Sequence, residues 1–237
     1  MPPLYATLLA IIVSAAASII LFLRIKLNNI IGARDFLWHY AFAFLITSFS
    51  SYPVFLINLG VNISQDGLTI LYSLSTLAIL ISYLLFFRGT VLLFTRDRLF
   101  TTMLPLVFLP VVSIFSLIAL FYLGLPTIVI YTAFLWGFLL VNNNILGAMF
   151  FYSFANGAPL KTMKGKPCAL LLSLGWYFIL GLDFFLWFTA VSYHPELWIL
   201  KISSMSGWYL LRVLAYLIIL AGALFCARRI QAPKREE

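Results

Sequence analysis

Long apolar runs separated by short polar connections dominate the chain, and seven of them lie at about 4–23, 37–58, 68–94, 100–123, 127–154, 168–190 and 206–226. A helix of roughly 20 residues crosses a hydrocarbon layer of about 30 Å. The pattern therefore predicts an all-α polytopic membrane protein: a single seven-helix transmembrane bundle over 1–226 and a short basic tail over 227–237. The first run is read as a retained span, because no basic residue precedes it and no small-residue cleavage pattern follows it.

Composition agrees with that reading. Of 237 residues, 64% are hydrophobic and 9% charged, against about a quarter charged in soluble domains. The connections leave no segment of about 50 residues for a soluble catalytic or nucleotide-binding domain, so any activity must lie within the helices.

The net charge of +8 changes the picture through its placement. Arg24, Lys26 and Arg34, then Arg96 and Arg98, then Lys161, Lys164 and Lys166, then Arg228, Arg229, Lys234 and Arg235 all fall on one side of the seven-span scheme. Lys201 alone sits opposite, while Arg88 and Arg212 fall inside spans. The positive-inside rule then puts the N-terminus outside and the C-terminus in the cytoplasm. The basic residues serve orientation, so the lipid bilayer is the expected partner and nucleic acid is not. Cys168 and Cys226 come at cytoplasmic ends of their spans, where thiols stay reduced. No disulfide is expected, and with no histidine nearby they make no metal site.

Aromatic residues mark the interfaces: Trp38, His39 and Tyr40 open the second span, and Tyr193, His194 and Trp198 follow the sixth. The segment 196–204 reads as a short helix lying on the outer surface. Gly124 and Pro126 make the fourth and fifth spans antiparallel neighbours, and Pro105 and Pro110 bend the fourth. No internal repeat of the kind seen in many transporters is present.

Ionisable residues inside spans are costly and mark candidate sites. Asp183 and Arg212 lie at matching depth in the last two spans and form a candidate buried ion pair or ligand site. The pair serves either helix docking or the handling of a ligand, anion or proton. Helical spacing puts Trp176 and Trp187 on the face of Asp183, and Tyr209 and Tyr216 on that of Arg212. Ser51, Tyr52, Tyr72 and Ser75 come at similar depth, so these eight residues are the candidate lining of an outer-half pocket. For the serines the favoured reading is interhelical hydrogen bonding. Asn142, Asn143 and Asn144 form a candidate polar core in the fifth span; pointing about 100° apart, they cannot all face one neighbour. Arg88 is placed to snorkel to the cytoplasmic interface.

The census argues against catalysis. His39 and His194, on opposite faces, cannot supply the bis-histidine pairs of a multihaem cytochrome or a three-histidine zinc site. The last span has no lysine for a retinal Schiff base, and no base lies at span depth to activate a serine. The expectation is a non-enzyme with no cofactor and no metal.

The stretch GARDFLWHYAFAFLITSFSSYP (Gly32 to Pro53), after an outside N-terminus and a first span ending in a basic connection, resembles the seven-helix N-terminal sensor module of bacterial histidine kinases. The resemblance implies an outer-half pocket for a small or lipidic ligand, with signalling through the last span to a cytoplasmic kinase. Only Ala227 to Glu237 follow that span here, so signalling is expected to need a separate membrane or cytoplasmic protein partner. The leading expectation is thus a sensor-like or accessory subunit in the cytoplasmic membrane of a prokaryote. Its rivals are a small-molecule or ion transporter or channel, and a structural subunit of a larger membrane complex.

Overall fold

Proline placement explains where several helices start and bend. The structure, a computed structural model, describes residues 2–27, 31–94, 124–157, 163–192 and 205–227. Among them the regular structure is all helical: α1 (Pro3–Lys26), α2 (Ile31–Ser50), α3 (Tyr52–Asn58), α4 (Gln65–Phe94), α5 (Gly124–Asn156), α6 (Pro167–Ser192) and α7 (Ser206–Ala227). Pro3 and Pro167 open α1 and α6, where a missing N–H costs no intrahelical bond. Pro53 interrupts the second apolar stretch, separating α2 from α3 at Ser51, because its ring and absent N–H are incompatible with an unbroken helix interior. Gly60, at φ 81°, then ends α3 in the left-handed region that favours glycine.

Five helical segments among the described residues are long and apolar enough to cross a membrane: Pro3–Lys26, Ala33–Asn58, Leu77–Phe94, Pro167–Phe185 and Ser206–Ala227. The 33-residue α5 covers the fifth hydrophobic stretch. The fourth stretch, with Pro105 and Pro110, lies outside the described residues, as do His194, Trp198 and the segment 196–204.

The long helices close into a ring: α1 packs on α2, α2 on α4, α4 on α5, α5 on α6, α6 on α7 and α7 on α1, with α3 leaning on α1 and α4. Small buried residues of α1, including Ala6, Ala10, Ser14 and Ala17, let its neighbours approach closely, as small residues do between membrane helices. The outward surface carries apolar side chains such as Ile12, Ile19, Leu23, Phe151, Leu217 and Phe225, consistent with contact with lipid.

The α6–α7 pair sets the geometry of the site. A Cβ on Gly175 would sit 2.6 Å from Ile219 Cγ1, and one on Gly222 would sit 2.8 Å from Leu172 Cγ. Helix backbones approach closely at both places because neither position has a side chain. Further along, Trp208 Nε1 donates to the Leu182 carbonyl at 3.3 Å. The two helices therefore run antiparallel in a tight register.

That register corrects one expectation. Cys168 and Cys226 are disulfide-bonded, with Cα atoms 5.3 Å apart, rather than two separate thiols. Matching depth alone does not decide whether two residues on neighbouring helices meet; the close glycine contacts turn the first residues of α6 onto the last of α7.

Candidate functional site

Four helices bring polar side chains together inside the ring. Asp183 of α6 is fully buried, and its Oδ2 accepts hydrogen bonds from the Tyr83 hydroxyl of α4 at 2.7 Å and from Asn143 Nδ2 of α5 at 2.8 Å. Arg212 of α7, also buried, donates through Nη2 to the Tyr83 hydroxyl at 3.4 Å and through Nε to the Tyr216 hydroxyl at 2.6 Å. Carboxylate and guanidinium are thus linked through Tyr83 Oη. The phenol accepts from a cation and donates to an anion, so each bond polarises the other, and in a low-dielectric interior both are strengthened.

Aromatic rings enclose this chain of charges. The Arg212 guanidinium carbon lies 4.7 Å from the Trp208 ring centre and 5.6 Å from that of Tyr216, within the range where a ring face attracts a cation. Trp176, fully buried, stands edge-on to Phe86 at 4.9 Å and to Tyr83 at 6.2 Å. Its Nε1 donates to the Tyr40 hydroxyl at 3.3 Å, which in turn pairs with Thr90 Oγ1 at 2.8 Å. Trp176 therefore joins the charged centre to a second polar seam, between α2 and α4. There Thr47 Oγ1 pairs with Ser82 Oγ at 2.5 Å, Ser82 Oγ donates to the Ala43 carbonyl at 3.0 Å, and Ser75 Oγ donates to the Ser50 carbonyl.

Two acceptors in the centre have no partner among the described residues. Asp183 Oδ1 and Asn143 Oδ1 are both enclosed and make no hydrogen bond. Leaving a buried acceptor unsatisfied costs about 1–3 kcal/mol, and more for a charged group. The centre can therefore offer acceptor capacity to a group that carries donors.

The sequence candidates distribute unevenly around it. Asp183, Arg212, Trp176, Tyr216 and Asn143 belong to the centre, and Tyr209 is buried beside it, its ring 4.9 Å from that of Trp208. Ser75 bonds α4 to α2 away from the charges, Ser51 is partly exposed, and Tyr52 is half exposed on α3. Asn142 is buried, with Nδ2 unpartnered, whereas Asn144 is exposed. Arg88 is partly exposed, with an enclosed, unpartnered Nε. The side chains of Tyr72 and Trp187 lie outside the described residues.

Tyr83 is the bridging residue that the sequence reading passed over. It follows Tyr72 by 11 residues, three helical turns, and so shares its face. A phenol at mid-span also needs a hydrogen-bond partner. Those two signals together would have singled it out.

No protein-family model, curated protein or solved structure matches the chain. Among the described residues, no three His, Cys, Asp or Glu side chains gather in positions that could hold a metal ion.

Proposed function

We propose that this chain is a non-catalytic integral membrane protein of seven spans, with its C-terminal end cytoplasmic, that binds a small donor-bearing ligand at the Asp183 centre and acts through a partner protein. The carrying observation is the enclosed Asp183 Oδ1, unpartnered beside an equally unpartnered Asn143 Oδ1. A ligand hydroxyl or ammonium group that reached either oxygen would satisfy a buried acceptor. The aromatic surroundings of Trp176, Trp208 and Tyr216 suit the apolar body of such a molecule. Because the ligand would touch α5 and α6 while Tyr83 and Arg212 extend the same bonds to α4 and α7, occupancy would change how four helices hold together. That is the mechanical requirement of a sensor-like subunit.

Native mass spectrometry of protein extracted gently from its own membrane tests this reading. The expected result is a bound small molecule on the wild type that is absent from Asp183→Asn, together with a protein partner. A ligand-free wild type, or equal ligand on the variant, would overturn it.

A transporter is the second reading, favoured by one feature: an ionisable carboxylate within a membrane helix is a common element of ion and proton pathways. It requires flux in reconstituted vesicles that Asp183→Asn abolishes while the protein stays folded; retained flux in the variant removes its support.

A further inference from the structure

A second cluster lies at the far end of the α6–α7 pair from Asp183. Met163 is fully buried in the connection that precedes α6. That connection turns through Gly157 at φ 72° and Gly165 at φ 63°. It is pinned by the Gly165 N–H donating to the Phe154 carbonyl at 2.8 Å and the Lys166 N–H to the Met163 carbonyl at 3.0 Å. The turn holds the thioether inward. Met163 Sδ lies 3.9 Å from Cys168 Sγ and 3.7 Å from Cys226 Sγ, and both cysteines are buried. Three sulfurs from three segments thus converge on one point.

We infer that Met163, Cys168 and Cys226, when the two cysteines are reduced, form a binding site for a soft monovalent metal ion, Cu(I). Metal–sulfur bonds of about 2.3 Å in a trigonal plane set the sulfurs about 4.0 Å apart, close to the spacing of Met163 from each cysteine. A Cα separation of 5.3 Å leaves the cysteine sulfurs free to part to that spacing by side-chain rotation. The donor set selects the ion: two thiolates and a thioether are soft ligands suited to Cu(I), whereas structural zinc is held by four thiolate, imidazole or carboxylate ligands, a set without thioether.

Charge favours the same conclusion. Two thiolates around a monovalent cation leave one net negative charge, and Lys164 and Lys166 stand on the same turn, with Arg228 and Arg229 two and three residues after Cys226 in the sequence. Cys168 also lies in the first turn of α6, where the positive end of the helix dipole stabilises negative charge. Opening the disulfide takes two electrons and two protons from a dithiol, which leaves as its own disulfide. The ion then displaces the two thiol protons on binding.

The experiment uses the full chain in detergent, reduced with a dithiol, desalted without oxygen, and titrated with Cu(I) against a chromophoric chelator. Reduced wild type should withdraw one equivalent of Cu(I) and oxidised protein none. Met163→Leu should bind at least tenfold more weakly, and Cys168→Ser with Cys226→Ser should not bind. X-ray absorption at the copper edge of the wild type should count three sulfurs, a readout that holds whether or not a variant folds. A disulfide that cannot be reduced without unfolding, reduced protein that does not compete, a two-sulfur shell, or undiminished affinity in a folded Met163→Leu would each overturn the site. None of these readouts depends on the ligand proposed at Asp183.

Discussion

The Tyr83 hydroxyl donates to Asp183 Oδ2 across 2.7 Å, tying α4 to α6. The same oxygen accepts from Arg212 Nη2, so Tyr83 bridges the two buried charges by hydrogen bonds. Tyr83→Phe keeps the ring against Trp176 and removes only the hydroxyl. Its expected cost is about 1–3 kcal/mol, the penalty for leaving buried partners unsatisfied. In a double-mutant cycle of Asp183→Asn with Arg212→Gln, the coupling should shrink when Tyr83→Phe is present. Unchanged coupling in that background would show that the charges communicate without the phenol.

Arg212→Ala strands a buried carboxylate, and a loss of roughly 3–5 kcal/mol is expected, measured by unfolding in mixed detergent. Neutralising Asp183 in the same protein should recover part of that loss, because the uncompensated charge is then gone. A double variant less stable than Arg212→Ala alone would count against this view of the centre.

The asparagine triplet offers a test of helix rotation. Asn143→Leu removes a donor to Asp183 and should cost about 1–3 kcal/mol. Asn144 is exposed, and Asn144→Leu should stay within about 0.5 kcal/mol of the wild type. Equal effects at the two positions would mean that α5 is turned differently.

Glycines on α6 give a further contrast. Gly175→Ala drives a methyl to 2.6 Å from Ile219 Cγ1 and should cost about 1–3 kcal/mol through overpacking. Gly181 has nothing within 4 Å of an added Cβ, so Gly181→Ala should gain about 0.5–1 kcal/mol from reduced backbone freedom in the unfolded chain. Thermal unfolding in detergent separates the two; a destabilised Gly181→Ala together with a tolerated Gly175→Ala would reverse the packing assigned to α6.

Much of this architecture was legible in the residues alone. The apolar stretches at 4–23, 68–94, 127–154, 168–190 and 206–226 each fall on one described helix and that at 37–58 on two, α2 and α3, because length and apolarity decide what can lie in a bilayer. Chain position also places Asp183 and Arg212 at similar depth, since a helix rises about 1.5 Å per residue. Rotation about each helix axis was another matter. Inward and outward faces of a membrane helix are both apolar, so hydrophobicity does not say that Asn143 points inward while Asn144 points out, or that Tyr52 is half exposed. Only the packed ring decided that Tyr83 stands between Asp183 and Arg212 and that Met163 meets Cys168 and Cys226, because such contacts depend on which helices are neighbours and how closely glycine lets their backbones approach.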